Sequence, residues 1–347
     1  MPDAETADRA LPSGFPEPGR AQVFQSPLEL VGNTPLVRLS RLVPDAKAEL
    51  WVKLDQYNLG GSSKDRIGIN IVREAIASGE LRPGQRIIDM GMGNTVIGFA
   101  LAGLATGHPV TIVAAPTLSP EKASLLRFLG AELVPGRSDV PPEHPENWNA
   151  IAERTEREDP FYWWGKQGSI PYNPAAHVQS TGPEIWAQTE GRVTHFVAAA
   201  MTGGTVTGVG RHLKERKPSV RAIATLFPPI AEKTNILPVF RREPGWEALE
   251  HDWPKNIDIA VLDAIETRPQ AEVIDFGWHV ARTEGLVLGV SSILSLLVAA
   301  ELARDAAEGD VIVSFSADSG RDYLSREYDG DWLRDNGFAA IAEKYGA

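Results

Sequence analysis

Residues 49–66 read ELWVKLDQYNLGGSSKDR, and they set the repeating unit from which the rest of the chain can be parsed. Glu49 to Leu54 is apolar and β-prone, and Asn58, Gly60 and Gly61 mark a chain reversal. Asp65 to Leu81 is apolar at Ile67, Ile69, Ile71, Val72 and Ala75, a helical period. Lys64 therefore stands at a strand-to-helix junction, ringed by Gly61, Ser62 and Ser63, where it can face a ligand. A lone lysine is ordinarily a solvated surface charge; the turns elsewhere in the chain give this one a different reading.

Outward from this unit, strand and helix alternate. Upstream, Val31 to Val37 is a turn and short strand. Downstream, Arg86 to Met90 runs through a glycine turn into the small-residue helix Thr95 to Thr106. Pro109 to Ala115 is a continuous apolar strand of the kind buried on both faces of a parallel sheet. Ser119-Pro120 opens a helix with a cap followed by proline, and Ala131 to Pro135 is a short strand. Residues 136–172, with Pro141, Pro142, Pro145, Pro160 and the aromatic run Phe161 to Trp164, break the rhythm and read as a crossing between lobes. Alternation resumes with a helix from Pro183, strand Thr194 to Ala200, helix Val206 to Arg216 and strand Val220 to Phe227. Residues 228–262 are proline-rich and irregular. Helices near Gln270 to Thr283 and Ser291 to Ala307 precede the strand Asp310 to Ala317. Repeated βα units imply an α/β fold of mostly parallel sheets flanked by helices, in two lobes.

The chain has 347 residues, 43% hydrophobic and 23% charged, enough for more than one core. A net charge of −12 argues against a nucleic-acid partner, which needs a basic footprint. With no cysteine, disulfides, thiolate catalysis and cysteine-held metals are excluded. The histidines have no metal-ligand spacing and read as structural or surface residues, so no metal site is expected. No apolar run reaches membrane-spanning length, so no membrane association is expected. Residues 1–22, acidic and rich in proline and glycine, read as a flexible tail of a cytoplasmic protein rather than a secretory signal.

In open α/β sheets ligands bind beyond the carboxyl ends of the strands. The turns Gly60 to Lys64, Gly91 to Thr95, Met201 to Thr205 and Ala317 to Gly320 meet that description and should converge on one cleft. Thr202-Gly203-Gly204-Thr205 follows a strand and opens a helix, so its backbone amides, the helix dipole and two hydroxyls can cradle a phosphate. It is neither a Walker loop nor a GxGxxG dinucleotide turn, and a ligand-free tight turn is the plain alternative. A phosphate cradle beside a strand-end lysine suits pyridoxal 5'-phosphate, which offers a phosphate and an aldehyde for a Schiff base. Asn94 is then placed to bond the ring hydroxyl and Ser319 the ring nitrogen, with Asp318 adjacent. A neutral serine partner would suit β-elimination and replacement better than transamination.

These segments in this order resemble the cystathionine β-synthase and cysteine synthase family of fold type II pyridoxal-phosphate enzymes, over about residues 23–338. The resemblance rests on GNTPLVRL (32–39), KLDQYNLGGSSKDR (53–66), GNT (93–95), TGPEIW (181–186), TGGTVTGVGRHLKE (202–215), TEGLVLGVSS (283–292) and DSGRDYLS (318–325). It implies a tryptophan synthase β-subunit-like fold, with a smaller substrate-side lobe over 43–159 and a larger cofactor-binding lobe from 23–42 and 160–347. It also implies that Lys64 forms the Schiff base and shuttles the α-proton, that Asn94 holds the ring oxygen, that Met201 to Thr205 hold the phosphate, and that Ser319 meets the ring nitrogen. Gly91, Met92, Gly93 and Thr95, with Gln167, would grip the substrate carboxylate, and the protein would be a homodimer.

The implied reaction is β-replacement on serine or an O-activated serine through an aminoacrylate, with a second, nucleophilic co-substrate. The family's Thr-Ser-Gly-Asn-Thr-Gly is here Gly91-Met92-Gly93-Asn94-Thr95-Val96, Met201 replaces a glycine of the phosphate turn, and Ile293 another glycine. Cofactor positions survive while substrate-facing ones change, which favours a specialised product such as a diaminopropionate derivative or unusual thioether. The alternatives are β-elimination or dehydration without a second substrate, and a catalytically altered, cofactor-binding partner protein.

Overall fold

The computed structural model describes residues 23–244 and 253–347. The expected tail over 1–22 lies outside the described residues, as does part of the stretch 228–262 read as irregular. In chain order the strands are β1 (Leu36–Arg38), β2 (Glu49–Leu54), β3 (Arg86–Gly91), β4 (Val110–Ala114) and β5 (Glu132–Pro135). They continue with β6 (Tyr162–Trp164), β7 (His195–Ala199), β8 (Arg221–Leu226), β9 (Ala264–Thr267) and β10 (Val311–Ser316). Two sheets result: a six-stranded one in the order β1-β2-β10-β7-β8-β9 and a four-stranded one in the order β5-β4-β3-β6. Among the described residues every pairing between these strands is parallel except the antiparallel edge pair of β1 and β2.

Sheet pairing redraws the expected lobe edges. Glu49–Leu54, assigned from sequence to the smaller lobe, pairs with β10 from Glu49↔Val311 to Leu54↔Ser316. Tyr162–Trp164, assigned to the larger one, pairs with β3 in the four-stranded sheet. Of residues 136–172, read as a crossing between lobes, the part up to Trp164 stays with the four-stranded sheet: it holds β6 and the helix Trp148–Glu158, capped by the Asn147 side chain and packed over β3 and β4. A strand of three aromatics is too short to show a period, and Trp163 is there because it is buried in the core. The segment read as irregular after Phe227 also holds the short helices Pro228–Lys233 and Ile236–Arg241.

The helix Val290–Asp305 is apolar on all sides because it is enclosed, packing on β10, β7 and β8 within the largest core. A second core fills the other face of the six-stranded sheet, and a third covers the four-stranded sheet. The lobes are joined at the helix Lys64–Ser78, which follows a strand of the six-stranded sheet but packs on Asn94–Thr106, the helix after β3. Contact there is backbone to backbone: a Cβ on Gly68 would lie 2.4 Å from the Gly98 carbonyl carbon, and one on Gly98 would lie 2.4 Å from the Lys64 oxygen. The carboxyl ends of β2, β3, β7 and β10 consequently face one cleft between the sheets. Among the described residues no helix is long and apolar enough to cross a membrane.

Candidate active site

A cavity of about 760 Å³ opens at these strand ends. Lys64, Gly91, Met92, Gly93, Asn94, Thr95, Gln167, Met201, Thr202, Gly203 and Thr205, all expected from the sequence, line it. Lys64 is the first residue of its helix, and its approach is fixed from both sides. The Ser63 amide donates to the Ala317 carbonyl at 2.8 Å, and Ser62 pairs with Asp318 in an isolated bridge. The Lys64 amine contacts the Ser63 hydroxyl at 3.2 Å. Burial pushes its pKa down, opposed by the nearby Asp318, Asp55 and Asp65 carboxylates, and so favours the neutral, nucleophilic amine.

The turn after β7 is built for an anion. Gly203 has φ +79°, and a Cβ there would lie 2.0 Å from Ile257 Cγ1. Gly204 is not on the cavity wall: its Cα packs on Asn173, where a Cβ would lie 2.0 Å from Oδ1, an oxygen with no hydrogen-bond partner. Glycine at both positions lets the chain turn tightly into the helix Gly204–Arg216, with Thr202 and Thr205 beside the opening. Behind it, His177 starts a π-helical turn, His177–Thr181, and its ring bridges Thr181 Oγ1 at 2.8 Å and Thr205 Oγ1 at 3.1 Å. Burial lowers its pKa to about 3, so it is a neutral relay that orients the Thr205 hydroxyl. An amine, a glycine cradle at a helix start and two hydroxyls fit the aldehyde and phosphate of pyridoxal phosphate. Gly203→Ala would combine strain at positive φ with a clash, and is expected to weaken cofactor binding about tenfold or more, measured as the pyridoxal phosphate dissociation constant.

Asn94 donates from Nδ2 to Asp318 Oδ2 at 2.8 Å, and Asp318 Oδ2 also accepts from the Tyr323 hydroxyl at 3.0 Å. Burial raises the Asp318 pKa, and the Asn94 and Tyr323 hydrogen bonds oppose the rise. Ser319 is not among the residues lining this cavity. It lines a neighbouring cleft of about 500 Å³, and its hydroxyl accepts from the Arg321 amide as a helix cap. The serines on the cavity are Ser291 and Ser292, at the start of the enclosed helix. Ser292 accepts from the Ala317 amide at 2.9 Å, as Ser319 does from Arg321, and each keeps its hydroxyl hydrogen free to donate.

Gln167 lines the cavity, but its side-chain amide donates to the Met90 carbonyl at 2.8 Å and thus braces the 91–95 loop from below. The same loop rests on Asp89, which sequence reading passed over. This buried carboxylate accepts from the Met90 amide at 2.7 Å and the Gln167 amide at 3.3 Å. Burial pushes the Asp89 pKa from 3.8 up to about 7. The folded chain therefore keeps a proton that the unfolded chain releases near 3.8, and stability falls as pH rises between about 4 and 7. Asp89→Asn is expected to flatten that fall in denaturant midpoints taken across the window. Asp65, likewise raised to about 7 by burial, supplies the part that remains. At the cavity mouth Met92 and Met201 are 49% and 50% exposed and form an apolar rim.

Comparison with known proteins agrees with this geometry. Residues 28–318 match the family described as "Pyridoxal-phosphate dependent enzyme". The chain is 35% identical over 317 residues to cystathionine beta-synthase of Rattus norvegicus, an alignment covering 90% of this chain but 56% of that protein. It is 36% identical over 301 residues to cysteine synthase B of Salmonella typhimurium, covering 86% of this chain and 93% of that one. Among solved structures, O-acetyl serine sulfhydrylase isoform 3 from Entamoeba histolytica superposes with a TM-score of 0.77 at 30% identity, covering 95% and 98% of the two chains.

Proposed function

Since the chain belongs to the pyridoxal-phosphate-dependent enzyme family, we propose that it replaces the β substituent of serine or an O-activated serine with a nucleophile. The observation that carries this reading is the meeting of Lys64, the 91–95 loop and the 201–205 turn on one cavity. Pyridoxal phosphate, when bound, supplies an electron sink that acidifies the α-proton of the attached amino acid and assists departure of its β group. The chain's own residues do the rest. Lys64, desolvated and within the cavity, takes and returns the α-proton; Thr202, Gly203 and Thr205 hold the phosphate; Asn94 bonds the ring oxygen and Ser319, whose cleft shares Asn94 and Lys122 with the cavity, the ring nitrogen. The Gly91 to Thr95 loop, braced by Gln167 and Asp89, positions the substrate. The four-stranded lobe forms the substrate side and the six-stranded lobe the cofactor side. The family resemblance further supports a cytoplasmic homodimer and a nucleophilic co-substrate.

The methionine rim favours a larger or more apolar second substrate over inorganic sulfide, because half-exposed thioethers adapt to apolar groups and offer little to small hydrated anions. The test is product analysis after incubating the loaded protein with serine, O-acetylserine or O-phosphoserine and a panel of thiols and amines. A nucleophile-dependent amino acid that disappears in Lys64→Ala is the expected result. Keto acid and ammonia, released at the same rate with or without nucleophile, would replace this reading with β-elimination.

A further inference from the structure

Resting on that reading, we infer that Lys122 is the cationic clamp for the α-carboxylate of the amino-acid substrate, doing work that the 91–95 loop cannot do alone. The loop is poor in side-chain donors: Gly91, Met92 and Gly93 carry no hydroxyl, which leaves that of Thr95, and one of the two Gln167 amide hydrogens goes to the Met90 carbonyl. Only two cationic side chains line the cavity among the described residues, Lys64 and Lys122, and Lys64 is the nucleophile. The acids on the wall, Asp318 and Glu327, would repel a carboxylate, so the electrostatic choice of seat falls to Lys122.

Geometry agrees with this assignment. Ser119 caps the helix Pro120–Phe128 by accepting from the Lys122 amide, which fixes where the side chain leaves the backbone. The ammonium then reaches over the loop, donating to Asn94 Oδ1 at 3.1 Å and pairing with Asp322 Oδ2 at 3.1 Å. A lysine ammonium has three donor hydrogens, so with two engaged one remains for a ligand on the cavity side. Gly93 keeps the path clear: a Cβ there would lie 3.1 Å from the Lys122 nitrogen. Because Lys122 also holds Asn94, an arriving carboxylate would be seated beside the side chain that meets the cofactor ring.

A lysine serving only as a strut between Asn94 and Asp322 would not distinguish a carboxylate from an amide, and the experiment exploits that. Protein loaded with pyridoxal phosphate is titrated with L-alanine and with L-alaninamide, following the visible band of the lysine-bound cofactor. Neither ligand has a β leaving group, so the readout does not require the proposed turnover. Wild type should bind L-alanine more tightly than the amide. Lys122→Met should weaken L-alanine on the order of 10- to 100-fold, the range for losing a charge-assisted hydrogen bond, and leave the amide nearly unchanged. Lys122→Arg should restore most of the preference. Equal weakening of both ligands, or no weakening of either, overturns the clamp whatever the product analysis gives. Selective loss in a protein that forms no nucleophile-dependent product upholds the clamp and overturns the reaction instead.

Discussion

Lys64→Ala is expected to abolish the visible band of lysine-bound pyridoxal phosphate and to lower turnover by about 10²- to 10⁴-fold from lost proton transfer alone. The fold should survive this change. Lys64 opens its helix, where alanine is well tolerated. Among the described residues the amine makes one hydrogen bond, to Ser63, and it is held against its preference for water, so removing it relieves desolvation. Absorbance, product formation and a thermal melt on the same sample separate the possibilities. An intact band with normal turnover in Lys64→Ala would remove Lys64 from the chemistry. A lost band with a large fall in melting temperature would make it a structural residue.

Two residues further along the same helix, Arg66→Met is expected to destabilise the protein by about 3–5 kcal/mol without touching the cavity. Arg66 forks onto Asp55, with Nε to Oδ2 at 2.8 Å and Nη2 to Oδ1 at 2.9 Å. It forks again onto Glu184, with Nη1 to Oε1 at 2.6 Å and Nη2 to Oε2 at 2.9 Å. Lys53, fully buried, adds a 2.7 Å ion pair to Glu184 and donates to the Thr34 carbonyl at 2.6 Å. Methionine would leave Asp55 buried with its cation gone. The denaturant midpoint at neutral pH measures the loss.

The same cluster sets an acid limit. Burial works against ionisation of Glu184, yet Arg66 and Lys53 hold its pKa down at about 2. Its contribution is therefore present above 4.5, its unperturbed value, and is lost as pH falls towards 2. Wild type should lose stability steeply through that window, and Arg66→Met should show a shallower loss because its Glu184 is less depressed. Parallel pH profiles for the two proteins would show that Glu184 ionisation does not depend on Arg66.

This cluster explains why so many of the motifs lie where they do. Thr34 of GNTPLVRL, Lys53, Asp55 and Arg66 of KLDQYNLGGSSKDR, and Glu184 of TGPEIW meet in the interior and not at the cavity. They fix the helix that carries Lys64 relative to the six-stranded sheet. Those motifs mark a catalytic family, and these five of their residues support the helix that carries one lysine.

What the sequence determined by itself is whatever depends on neighbours along the chain. A strand, a glycine turn and a helix are set by backbone geometry within some fifteen residues, so the junction at Lys64, the turn at 202–205, the cap at Ser119 and the alternation of strand and helix were all legible. The convergence of the 60–64, 91–95, 201–205 and 317–320 turns also followed, because parallel strands put their carboxyl ends on one side. Tertiary structure alone decided which cleft the side chains at those turns line. Ser291 and Ser319 both sit near strand or helix ends, and only the pairing of Leu288 with Ser319 and of Ser62 with Asp318 turns one serine to the cavity and the other to the next cleft. Lys122, Asp89 and His177 gave no signal, since each acts on a residue remote in sequence: Asn94, Gln167 and Thr205. Local geometry is written residue by residue; a cavity wall is a register between segments, and register exists only once the sheets have packed.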